Sequence, residues 1–148
     1  MEAKRNAREV AVQAIFQFFF SNGDIKKILN EFCNFRIREE KNYTKKYDTK
    51  FFNKIVIGVY ENKVNIKKLI EENLSKEWLI DRVDPTMRAI ISLAIYEFTF
   101  CKKVPLKVII DEYVTISRLY FDKTNIGFVN GILDNLGKKI RKTNNGWD

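Results

Sequence analysis

The chain contains no histidine among its 148 residues. That absence removes a Ser-His-Asp triad, an imidazole acid–base step and a histidine metal ligand. It carries two cysteines, Cys33 and Cys101, too few for a four-cysteine zinc site or a disulfide framework. Both are expected to be reduced and buried, as suits a cytoplasmic protein. Two prolines and six glycines are sparse punctuation for an all-β fold, which needs a turn every ten or so residues. No apolar run of about 18 residues is free of charge, which excludes a transmembrane helix. The first residues, MEAKRNARE, lack the hydrophobic core of a signal peptide, so export is not expected. Gly127 and Gly131 lie four apart with no GK[ST] after them, so no phosphate loop is present. These absences predict a binding protein with no catalytic residue, no metal ligand and no cofactor.

What is present is positive charge and apolar bulk. Lysine and arginine number 27 against 19 acidic residues, a formal net charge of +8. Twelve phenylalanines and a 45% hydrophobic composition exclude disorder and give one domain, spanning 1–148, enough material for a core. A cationic binding protein points to a polyanion, and RNA, DNA and an anionic membrane all qualify.

Helical periodicity dominates the chain. Ala7, Val10, Ala11, Ala14, Ile15 and Phe18 form one stripe of a helix over 4–20, which Ser21-Asn22-Gly23 ends. Asp24 suits the cap of a short second helix. Residues 34–50 lose the pattern and read as a long mobile connection with room for local helical turns. Phe52, Ile55, Val56, Val59 and Tyr60 resume it, and Asn65 suits the cap of a helix carrying Ile66, Leu69, Ile70 and Leu74. Asp84-Pro85 is a strong helix start, an N-cap carboxylate followed by proline at the first helical position. The helix it opens is apolar on most of its surface and should be the centre of the core. Lys102 and Lys103 suit the negative pole at its end. Pro105 starts a further helix, Thr124 suits the cap of the last, and 141–148 should fray. No strand-like alternation competes. The expected fold is all-α, a compact bundle of about seven helices.

Two places suit binding chemistry. The first helix presents Lys4, Arg5, Arg8, Glu9, Gln13 and Gln17 on what its spacing makes an outward face. Arginine offers phosphate a planar fork of donors, and glutamine can pair with a base edge. The same pattern also fits an ordinary solvated face with an Arg5–Glu9 pair, or a basic helix lying on a membrane. At 128–133 the chain reads FVNGIL. Val129, Ile132 and Leu133 face inward, so Phe128 and Asn130 point away from the deepest core. Phe128 then either stacks on an unpaired base or packs against a neighbouring helix. Gly131 inside a helix costs about 1 kcal/mol relative to alanine, which predicts close approach of another backbone there.

Taken in order, ARE-x-A-x-QAIFQ at Ala7 to Gln17, DR-x₅-RAIISLAIYE at Asp81 to Glu97, VPLKVIIDEYV at Val104 to Val114 and FVNGILD at Phe128 to Asp134 resemble the NusB family of bacterial transcription antitermination factors. Phe52, Gly58, Val59 and Trp78 add weaker agreement. The resemblance covers roughly 4–20 and 52–137. It implies an all-helical protein with two packed helical subdomains and no catalytic activity. It implies binding of boxA, a short single-stranded RNA element of nascent transcripts including ribosomal RNA leaders. The implied partners are NusE, a small-subunit ribosomal protein, other Nus factors and RNA polymerase, with no membrane involved. Both monomers and homodimers occur in the family, so a homo-oligomer stays open. The family's RNA-binding segment maps onto Lys4, Arg5, Arg8 and Gln13, and its RNA-proximal phenylalanine onto Phe128.

The chain departs from the family at Met87, where an acidic residue is usual, and at Ser92 and Asn125, where arginine and serine are usual. Around the start of that helix the resemblance implies partner docking at Asp81, Met87 and Arg88, with Asp81 keeping one acidic position and Met87 losing another. Arg82, Arg88, Glu97 and Glu112 equally suit structural ion pairs within the bundle. Two other classes compete. A helical interaction module without RNA binding is set against by the charge. An RNA cytosine methyltransferase, some of which carry a related helical domain, is set against by the absence of room for a cofactor-binding domain.

Overall fold

A computed structural model describes residues 2–21, 23–37, 46–74 and 83–144. The described residues form seven α-helices, with no strand: α1 (Glu2–Ser21), α2 (Ile25–Glu31), α3 (Thr49–Glu61), α4 (Lys63–Asn73), α5 (Pro85–Phe100), α6 (Leu106–Ser117) and α7 (Lys123–Asn144), with a π-helical turn (Phe32–Ile37) continuing α2. The all-α bundle expected from periodicity is the fold found.

Helix α5 is the centre, as its composition requires. Met87 and the whole run from Ala89 to Phe98 are buried, so it has no solvent face along most of its length. It packs against α1, α3, α4, α6 and α7. Asp84 opens it by accepting hydrogen bonds from the Thr86 and Met87 backbone N–H groups at 2.8 and 3.3 Å. The first helices and the last ones, the two subdomains implied by the resemblance, meet through α1 and α3 against α5 and share one continuous core.

Local signals misplaced several boundaries. Helix α4 begins at Lys63 rather than after Asn65, because α3 runs almost directly into it through Asn62. Helix α7 is capped by Asp122, whose carboxylate accepts the Asn125 N–H at 3.0 Å, and Thr124 lies inside the first turn. The stretch expected as a connection is structured at both ends. Phe32–Ile37 form the π-helical turn, Tyr47 is buried, and Asp48 caps α3 by accepting the Phe51 N–H at 2.9 Å. Residues 38–45 lie outside the described residues.

The expected fraying of 141–148 does not begin at 141, while 145–148 lie outside the described residues. Arg141 sits within α7, and its guanidinium donates to the carbonyl oxygens of Phe98, Cys101 and Val104 at 3.1, 3.2 and 2.9 Å. It thereby satisfies the carbonyls exposed where α5 ends. Both described cysteines are free; Cys101 is buried, but Cys33 is only half-buried beside Asn53.

Candidate nucleic-acid interface

The candidate residues on α1 do not form one surface. Arg8 is the main correction. Its side chain is 5% exposed, and its Nε and Nη2 each donate to one Glu97 carboxylate oxygen at 2.9 Å. The Tyr113 hydroxyl donates to the same carboxylate at 2.5 Å. Glu97 has no exposed surface, so three side chains from α1, α5 and α6 close a polar knot inside an apolar core. The apolar arc of α1 is wide enough to enclose Arg8, because Val12 is buried as well as Ala11 and Ile15. Glu97 holds the Arg8 guanidinium well above its ordinary pKa despite the opposing cost of burial, which keeps it charged. A phosphate could reach Arg8 only by displacing Glu97.

Arg5 makes a second bidentate pair, donating from Nε and Nη2 to Glu112 of α6 at 2.9 and 3.1 Å. Unlike Arg8, its side chain remains 50% exposed. Lys4 is exposed, and its Nζ lies 5.0 Å from the centre of the Phe51 ring. The Arg8 guanidinium lies 5.1 Å from the same ring. Phe51 is therefore the floor on which the leading end of α1 rests. A backbone hydrogen bond from Asp48 N–H to the Ala3 carbonyl, 3.1 Å, ties the starts of α1 and α3 together.

Gln13 belongs elsewhere. It is half-buried in an apolar groove of about 400 Å³ with Phe16, Phe20, Phe32, Thr86 and Tyr120, and its Oε1 is enclosed with no hydrogen-bond partner among the described residues. Phe20 stands 75% exposed at this groove and stacks on Phe16 with ring centres 5.7 Å apart.

Phe128 is half-buried near the start of α7 and packs against the core. Asn130 and Gly131 are exposed, and nothing lies within 4 Å of where a Cβ on Gly131 would be, so the close approach expected there is absent. Of the residues at the start of α5, Met87 is buried and serves the core rather than a docking face, as its apolar side chain favours. The Arg88 guanidinium lies 4.1 Å from the Phe19 ring centre. Asp81 lies outside the described residues. The suggestion that Glu97 and Glu112 form ion pairs holds, with Arg8 and Arg5 as their partners.

Sequence reasoning missed a second cationic surface. Lys4, Lys54, Lys102 and Lys103 line a groove of about 490 Å³ together with Phe51 and Phe100. The doublet at 102–103 was legible only as complement to a helix end. Its meeting with Lys4 and Lys54 depends on α1, α3 and the α5–α6 turn converging, which local sequence does not reveal. Among the described residues no His, Cys, Asp and Glu side chains cluster as a metal site. No described helix is long and apolar enough to cross a membrane.

Comparison with known proteins agrees with this architecture. The family model described as the NusB family matches residues 5–138. A transcription antitermination protein NusB of Sphingopyxis alaskensis is 34% identical over 144 residues, covering 95% of this chain and 96% of that protein. The structure of T. maritima NusB is similar with a TM-score of 0.75 and 34% identity, over 93% of each chain. A crystal structure of the antitermination factors NusB and NusE in complex with dsRNA contains a chain similar with a TM-score of 0.79 and 25% identity, over 94% of this chain and 98% of that one.

Proposed function

The chain belongs to the NusB family, and from that premise we propose that it is a transcription antitermination factor. It binds boxA-type single-stranded RNA in nascent ribosomal RNA transcripts together with NusE, within a Nus complex on RNA polymerase. The observation that carries the RNA half is the cationic leading end of α1. There Lys4 is exposed above Phe51 and Arg5 is half exposed, at a helix N-terminus whose dipole favours anions. Lys4 and Arg5 take the phosphates. Phe128, half-buried near the start of α7, offers its accessible ring surface for a base to stack on. Arg8 acts as a positioning residue, fixing the pitch of α1 through Glu97.

The NusE half is supported by the apolar groove that runs from α1 to the start of α5. Exposed Phe20 and the unpartnered Gln13 Oε1 suit a partner segment that brings apolar side chains and one hydrogen-bond donor. Arg88, in the first turn of α5 with its guanidinium 4.1 Å from the Phe19 ring centre, is a further docking candidate on the neighbouring face. The chain works by binding alone, in the cytoplasm, with no catalytic step of its own.

The test is a mobility shift of boxA-type RNA by this chain, by NusE and by the mixture. The mixture should shift RNA at lower concentration than either protein, because each contributes part of one site. A mixture that leaves the RNA unshifted contradicts the proposal.

A further inference from the structure

The lysine groove lies beyond the cationic end of α1 and has the parts of a strand-binding surface in its own right. Lys4 comes from α1, Lys54 from α3, and Lys102 and Lys103 from the turn between α5 and α6. Lys54 and Lys103 are exposed, with no carboxylate at ion-pair distance among the described residues. Two helix N-termini, those of α1 and α3, converge here and are joined by the Asp48–Ala3 hydrogen bond. Their dipoles add positive potential, offset in part by the Glu2 and Asp48 carboxylates at those same termini. The opposing negative pole, at the end of α5, is covered by Arg141, which occupies the carbonyls of Phe98, Cys101 and Val104. Among the described residues that line the groove, four are lysines and none is a carboxylate.

It also has an aromatic wall. Phe100 is 51% exposed and lies with its ring centre 5.0 Å from that of Tyr96, which holds it from behind. It stands between this groove and an adjoining one of about 400 Å³ that runs past Lys50, Lys54 and, at its far side, Glu61. An exposed phenylalanine between lysines gives a base a face to stack on while ammonium groups hold the phosphates on either side.

We propose that this groove is a second strand-binding subsite, which carries single-stranded RNA from the start of α1 across α3, with Lys54 and Lys103 on phosphates and Phe100 stacked on a base. The proposal rests on the RNA-binding reading above and extends it to residues outside α1. An acidic protein segment is the competing occupant. The exposed aromatic ring favours RNA, because a chain of carboxylates would leave Phe100 in water.

The test uses the full chain and fluorescein-labelled boxA-type RNA, alone or extended on both sides by uridines, followed by anisotropy over a range of salt. Lys54→Glu with Lys103→Glu should weaken the extended RNA more than the short one. It should also reduce the slope of log affinity against log salt by about 1.4, at about 0.7 per lost phosphate contact on a single strand. Phe100→Ala should weaken the extended RNA roughly tenfold. Lys68→Glu, on the exposed surface of α4, should leave binding unchanged. Unaltered thermal melts confirm that these surface variants fold, and Lys54→Gln with Lys103→Gln should give a smaller loss in the same direction.

If the unaltered chain binds neither RNA, the RNA reading and the subsite fall together. If it binds both RNAs and the groove variants match it, the subsite alone is overturned. Loss of NusE binding with RNA affinity intact also overturns it, in favour of an acidic protein segment.

Discussion

Arg8 shows how one residue changes meaning when its surroundings are known. Counted along the helix it belongs with Lys4 and Arg5; in the fold it is the buried partner of Glu97 and Tyr113. The near-continuous apolar run Ala7, Val10, Ala11, Val12, Ala14 and Ile15 was the legible sign that the buried arc is wide. The identity of its acidic partner, 89 residues away, was not legible. Removing one member of such a pair leaves a buried charge uncompensated. Arg8→Ala should therefore cost about 3–5 kcal/mol in urea unfolding. A surface phosphate contact at Arg8 would instead lower RNA affinity and leave stability unchanged.

The same knot sets an alkaline limit. Burial, followed by the charge of Glu97, pushes the Tyr113 phenol well above its ordinary value, and burial also raises the Cys101 thiol. Both groups stay protonated in the folded chain at pH values where the unfolded chain has lost those protons. Their contribution is complete below the ordinary thiol and phenol values and declines as pH rises through them, from about pH 9 upward. The urea midpoint should thus fall between about pH 9 and pH 10.5, and Tyr113→Phe should flatten that fall. A midpoint that holds or rises over this interval contradicts the assignment.

Among the elements, the helices themselves were legible because their apolar spacing is regular, and Asp84-Pro85 located the start of α5 correctly. What sequence could not rank was which glycines are needed. Gly131 attracted attention for its place in FVNGIL, yet it faces open space. Gly58 is the most demanding of the described glycines, since a Cβ there would penetrate the Tyr96 ring, which is itself buried. Close packing of α3 on α5 explains the requirement, and that packing appears only in three dimensions. Gly58→Ala should destabilise by about 1–3 kcal/mol through overpacking. Gly131→Ala should stabilise by up to about 1 kcal/mol through helix propensity. Thermal melts of the two variants should move in opposite directions; movement in the same direction would refute the packing argument.

At the scale of the whole molecule, an excess of eight positive charges was visible from composition, but its placement was not. Two of the expected RNA-facing arginines are tied to carboxylates, Arg8 completely and Arg5 on one side. The open cationic surface instead gathers lysines from three separate parts of the chain around Phe51 and Phe100. Gln13 and the aromatic groove occupy a different surface, and on the proposed assignment the RNA and the protein partner therefore bind in separate places. Charge reversal at Lys4 should accordingly weaken RNA while leaving NusE affinity unchanged, whereas Phe20→Ala should do the opposite. Calorimetry with each ligand in turn separates the two, and a variant that loses both equally contradicts the division.

The account depends most on the claim that this bundle holds single-stranded RNA by its phosphates. The most direct measurement is the affinity of the chain for boxA-type RNA as a function of salt. Binding should be measurable at low salt, and log affinity should fall linearly with log salt, with a slope that Lys4→Glu makes shallower by about 0.7. Affinity independent of salt, or a slope that Lys4→Glu leaves unchanged, would contradict it.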